Sequence, residues 1–234
     1  MRKIIKICWL VVFYLIGINV NAQFDIVGTY NKQVLQNWSG TYSRIGPYKV
    51  KGSGYFLGEA LSGIVKFKDR DLMQSKKLFY DLYNQEILFQ QGEDLIKVDD
   101  VLEELTVTLS EKYEGKSMRF KNAVLYETGN LKGFFEVLEE GPKASFLKMY
   151  KINVAPDPGN MLDRDAKLFE QYSEYYIFNA DTKSFENVKL KTKEINKAIL
   201  TLGLNKDNSI DPGGFNLSKE QGVIGFISKI NSAN

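Results

Sequence analysis

The sequence predicts an α+β protein: an antiparallel β-rich body of meandering hairpins with two amphipathic C-terminal helices. Three observations lead there. Between Gly40 and Lys121, apolar residues recur at every second position in short runs broken by turn residues. Runs this short and closely connected suit antiparallel pairing, since parallel strands need crossovers of about a dozen residues or more. Beyond residue 190 the apolar period lengthens to that of a helix, twice.

Met1 to Ala22 reads as a secretory signal. Arg2, Lys3 and Lys6 make a basic start, Ile7 to Ile18 is almost wholly apolar, and Val20-Asn21-Ala22 prepares a cut before Gln23. The apolar stretch is shorter than the roughly 20 residues that span a bilayer. Cys8 lies beside the basic start rather than after the apolar run, so no lipid anchor is expected. The expectation is export to the periplasm or cell surface, with no transmembrane span after cleavage. Gln23 to Ser39 follows as a short leader, helical around Val34, Leu35 and Trp38.

The next segment, 23–127, is expected to form an N-terminal β-meander lobe. Tyr48 to Val50 is a strand before the Gly52-Ser53-Gly54 turn. From Gly63 to Lys68, Val65 and Phe67 face one way and Lys66 and Lys68 the other. Lys77 to Tyr83 and Glu86 to Gln90 flank an Asn84-Gln85 turn, and Gly92-Glu93-Asp94 leads into Leu95 to Val98. Leu105, Val107 and Leu109 alternate with threonines, and Met118 and Phe120 with Arg119 and Lys121.

The remainder, 128–234, is expected to hold β-hairpins and the two helices, continuous with the first lobe or separate from it. Phe134 to Leu138 and Ser145 to Val154 flank a turn at Glu139-Glu140-Gly141-Pro142. Glu174 to Phe178 and Glu186 to Leu190 make a further hairpin. Ile195, Ala198, Ile199 and Leu202 then keep helical spacing, with Thr192 as the expected N-cap and Gly203 past the end. Ser218 with Gln221 suggests a capping box ahead of Val223, Phe226, Ile227 and Ile230.

Several of these segments carry a resemblance. Gly52 to Phe56, Gly63 to Asp69, Leu78 to Tyr83, Gly133 to Gly141 and Glu174 to Phe178 resemble a family of uncharacterised exported proteins of Bacteroidetes. The resemblance covers most of the chain after residue 22 and implies a bacterial cell-envelope protein. It implies no catalytic residues.

Composition narrows the chemistry. The chain has 31 Lys and Arg against 29 Asp and Glu. Removing the three basic residues of the signal leaves 28 against 29, a net charge of about −1. Such a chain has no general pull toward nucleic acid, which is not expected as a partner. There is no histidine, and the one cysteine leaves with the signal. Ser-His-Asp and Cys-His catalysis, Cys/His zinc sites and disulfides drop out together. No cofactor motif is present: Gly52-Ser53-Gly54 with Gly58 lies between strands and misses the phosphate-binding spacings.

What remains is carboxylates, lysines, tyrosines and hydroxyls. Paired carboxylates for glycan hydrolysis have candidates in Asp99, Asp100, Glu103, Glu104, Glu136, Glu139 and Glu140, though most fall in turns or at strand ends. Weak oxygen-ligand candidates for a cation are Asp163 and Asp165 in a Pro/Gly loop with Asp157, and Asp207 and Asp211 in Asn205-x-Asp207-x-Ser209-x-Asp211. That second stretch lacks the glycine and the final glutamate of a calcium loop, so turn formation is its default role. Tyr172, Tyr175, Tyr176 and Phe134 are the candidate ligand-binding residues, able to line a sugar or lipid groove, with core packing as the competing role. Together these features favour a non-catalytic interaction or binding role, toward an envelope protein or a glycan. A carboxylate-dependent glycan hydrolase and a lipid or sugar module on the aromatic strands are the alternatives.

Overall fold

The computed structural model describes residues 42–45, 48–68, 71–98, 102–127, 129, 131–159, 166–205 and 210–233. The predicted signal and leader helix, Asp99, Asp100 and the cation candidates Asp163, Asp165 and Asp207 lie outside these residues.

The described chain is β-rich with two helices, as the α+β expectation has it. Twelve strands form one sheet: β1 (Tyr42–Ile45), β2 (Tyr48–Lys51), β3 (Leu61–Phe67), β4 (Met73–Asp81), β5 (Glu86–Gln91), β6 (Asp94–Lys97), β7 (Leu102–Thr108), β8 (Ser117–Asn122), β9 (Phe134–Glu140), β10 (Ala144–Pro156), β11 (Lys167–Asn179) and β12 (Ser184–Val188). The helices are α1 (Thr192–Thr201) and α2 (Glu220–Ser232).

The strand order is β1-β2-β11-β10-β9-β8-β7-β3-β4-β5-β6, with β12 also on β11. Two features depart from a plain antiparallel meander. β7 returns past the β4–β6 excursion to pair with β3. β2 pairs with β11 in parallel, at Val50 with Lys167 and Lys51 with Leu168. Strand lengths explain the second. β12 covers β11 only from Tyr175 to Asn179, which leaves the N-terminal half of that edge open to β2. The sheet crosses residue 127 unbroken, because β8 and β9 pair antiparallel.

Period-two patterning gives the strands their faces. β3 buries Leu61, Val65 and Phe67 while Lys66 is exposed. One face of the sheet carries two apolar clusters. The first gathers Phe56, Val65, Leu78, Tyr80, Leu105 and Phe120, with Tyr150 and Ile152 packed at its border. The second joins Phe146, Ile177 and Val188 to Ile195, Ile199, Val223, Phe226 and Ile230 of the helices. The opposite face holds Ala123, Tyr126, Phe135, Leu147, Met149, Tyr176 and Phe178. Each fully buried large side chain contributes about 1.5–3 kcal/mol.

A bulge in β9 re-phases that strand. Leu147 pairs with Val137 but Phe146 with Glu139, so Leu138 is the extra residue. Glu136 thereby stays on the face of the first cluster, and Glu140 turns to the opposite face. There Arg119, Lys121 and the Tyr126 hydroxyl reach it.

The helix stripes match the sequence pattern, but the predicted N-caps do not. Thr192 is the first residue of α1, and Ser218 precedes α2 by two positions. The N-cap positions are Lys191 and Lys219, neither with a side-chain capping bond. The chain before α2 is shaped instead by Asn216, whose carbonyl accepts from the Lys219 amide and whose side chain accepts from the Ser218 amide. Gly203 does end α1. Its φ is +67°, its N–H reaches Leu200 and that of Leu204 reaches Ile199, a Schellman closure.

Candidate functional site

The two apolar clusters on the common face are separated by charge. One cross-strand row reads Leu105, Phe120, Glu136, Lys148, Tyr175, Val188, from β7 to β12. Its ends are apolar and its centre is not. Glu136 is buried, accepts from the Tyr150 hydroxyl at 2.7 Å, and has the Lys116 ammonium at 3.6 Å. Lys148 donates to Glu220 Oε1 at 2.7 Å, and the Tyr175 hydroxyl donates to the same oxygen at 2.5 Å. The Lys148 ammonium also lies 4.9 Å from the Tyr150 ring centroid and 5.6 Å from that of Tyr175. Two carboxylates, two ammonium groups and two phenols thus satisfy one another between two apolar regions.

Three groups of this belt, Tyr150, Tyr175 and Glu220, are shifted from their ordinary ranges. Burial, then the negative charge of Glu136 and the bond to it, push the Tyr150 phenol far above its ordinary range. Burial, then the bond to Glu220 and its charge, do the same for Tyr175. Burial alone would raise Glu220. Bonds from Lys148 and Tyr175 and the charges of Lys148 and Lys116 outweigh it, and its carboxyl sits below the usual range. Glu140 and Glu174 are lowered by the same competition, with Lys121 and Lys151 as their leading partners.

Beside this belt lies a groove of about 350 Å³. Phe56, Leu57, Leu109, Met118 and Tyr150 form its apolar lining. The β7–β8 connection supplies the rest: Lys112, Tyr113, Glu114 and Lys116. The turn before β3 explains the shape. Phe56 inserts into the first cluster, with ring centroids 4.6 Å from Tyr150 and 5.7 Å from Phe120. To aim that ring inward, Leu57 takes φ +57°, ψ 0°, and Gly58 follows at φ +69°. Left-handed backbone costs a bulky residue about 1–2 kcal/mol, which the buried Phe56 offsets. Across the groove Glu114 takes φ +60° and Gly115 +62°. Lys112 lies 4.9 Å from the Tyr113 ring centroid, and its ammonium is held above its usual range, chiefly by bonding to Tyr113.

The sequence-predicted residues are dispersed. Tyr175 joins the charged belt. Tyr176, next in the strand, is buried on the opposite face and donates to Glu174 at 2.6 Å. Tyr172 is 46% exposed, and Phe134 is buried in the first cluster. Strand alternation, which puts adjacent tyrosines on opposite faces, separates them. Of the predicted carboxylates, Glu136 and Glu140 lie on opposite faces of the sheet. Asp211 accepts from the Gly213 amide at 2.8 Å, and Asn205 bonds the backbone of Ile210 in both directions. Among the described residues, no group of three or more Asp, Glu, Cys or His is placed to hold a metal ion. No helix among them is long and apolar enough to cross a membrane.

Sequence reasoning singled out Glu136 and Tyr175 but not the belt that holds them. Glu220 lies at the start of a helix 84 positions after Glu136, a separation that no local pattern bridges. Leu57 was signalled only by the glycines around it. The lysines and Tyr113 of the β7–β8 connection form no pattern that marks a site. Comparison with protein-family models, curated proteins and solved structures finds no match.

Proposed function

We propose that the protein is exported to the cell envelope and works there by binding, with the groove between Leu57, Tyr113 and Tyr150 as its ligand site. The observation that carries this reading is the groove itself. Its volume is within the range of small-ligand sites, and its lining joins an apolar wall to the charged groups of the β7–β8 connection. Leu57 lines it in a backbone conformation that bulky residues rarely hold, a form of strain that gathers at binding sites. The export half rests on the basic-then-apolar pattern of Met1 to Ala22.

Glycan hydrolysis gains no comparable support. A general acid needs a carboxyl raised toward neutrality. Among the described carboxyls, the shifts of Glu140, Glu174 and Glu220 all run downward.

The test is capture from envelope extract by the chain starting at Gln23, with bound proteins, lipids and glycans identified by mass spectrometry. One ligand or partner in fixed ratio is expected, and an empty capture would count against binding. Intact mass of protein recovered from the envelope is expected to begin at Gln23. Retention of Met1 would overturn signal cleavage.

A further inference from the structure

Resting on that reading, we propose that the groove takes a single-chain amphipathic anion: an apolar body against Leu57, Leu109 and Met118, and a carboxylate head at Lys112 and Lys116. Charge complementarity points there. The lining itself carries two ammonium groups against one carboxylate, Glu114, with the buried Glu136 3.6 Å behind Lys116. Lys112 and Lys116 are four residues apart on the same connection and both border the groove.

Lys116 is the group best placed to engage a head group. Its side chain is 62% exposed, and it stands 3.6 Å from Glu136, beyond good hydrogen-bonding distance. Glu136 meanwhile keeps the Tyr150 hydroxyl at 2.7 Å. An arriving carboxylate therefore gains the ammonium without stripping Glu136 of its stronger partner. Lys112 is exposed and held by the half-buried Tyr113, a contact it would exchange for the same head group.

Competing chemistries fit less well. A sugar stacks on an open aromatic face, and Tyr150 is packed by Phe56 and approached by Lys148 at 4.9 Å. A cationic amphiphile meets two like charges.

The experiment is calorimetric titration of the chain starting at Gln23 with decanoate, decanol and decyltrimethylammonium, each below its micelle concentration. Decanoate is expected to saturate one site per chain. Decanol should bind about tenfold more weakly, the order lost with one charge-assisted contact, and the cation should not bind. The double variant Lys112→Ala, Lys116→Ala removes two largely exposed ammonium groups, one of them the 3.6 Å neighbour of Glu136, and a melting curve checks that it still folds. It should bring decanoate to the affinity of decanol and leave decanol unchanged.

Equal affinity of acid and alcohol would overturn the anion preference while leaving ligand binding intact. Binding only to anionic phospholipid vesicles, read by co-sedimentation, would overturn a free single-chain ligand. Silence toward all three decyl compounds would overturn the inference, and the envelope capture then decides separately whether the binding reading falls with it.

Discussion

Gln85 shows how much one side chain can fix. Its Oε1 accepts from the Tyr80 hydroxyl at 2.7 Å, and its Nε2 donates to Leu82 O at 2.8 Å and Tyr150 O at 3.1 Å. The β4–β5 turn is thereby tied to β10, 65 positions away. A Cβ on Gly133, at φ +105°, would fall 2.0 Å from the same amide, so glycine is needed there. Gln85→Ala should lower unfolding free energy by about 2–3 kcal/mol, since Tyr80 and Tyr150 lose partners in buried surroundings. Denaturant titration measures it. Glu220 yields a pH prediction. Its carboxyl is depressed in the folded chain, so the stability it contributes is present above the ordinary carboxylate range and lost as pH falls through the folded value. Glu220→Gln should therefore be less stable at neutral pH and lose less between about pH 5 and 3 than the parent. Denaturation midpoints across that interval are the measurement, and parallel curves would contradict it.

At the scale of elements, α2 is held by particular atoms as well as by its apolar stripe. Asn231 Oδ1 accepts from the amides of Lys143 and Ala144, and its Nδ2 donates to Ala144 O at 3.0 Å. Asn231→Ala should cost about 1–3 kcal/mol and raise hydrogen exchange along α2 before β10. Gly222 lies where a Cβ would meet Asn216 O at 2.0 Å. Alanine is the better helix former by about 1 kcal/mol. The clash with a backbone carbonyl outweighs it, and Gly222→Ala should lower the melting temperature. These contacts mark the limit of what the sequence discloses. Strands such as β3 and β8 were legible because one face is buried and the other solvated, which writes the alternation directly. Helix stripes were legible for the same reason. Thr192 and Ser218 misled because the helices begin at Thr192 and Glu220, which puts Lys191 and Lys219 at the N-cap positions. The parallel β2–β11 pair left no trace, because it depends on the unequal lengths of β11 and β12.

For the molecule as a whole, one sheet face carries two apolar regions with a charged belt between them. The belt was half legible. Glu136, Tyr175 and the β10 alternation were visible, but their meeting depends on register across six strands and on a helix arriving from far along the chain. The groove was less legible still, because its walls are a left-handed turn at Leu57 and a connection whose sequence carries no site motif. The groove is the proposed binding site. Amide and methyl NMR of the chain starting at Gln23, titrated with decanoate, tests it most directly. Perturbations should gather at Phe56 and Leu57, from Leu109 to Met118, and at Tyr150. Perturbations centred instead on the exposed Tyr172, or none at saturating ligand, would contradict it.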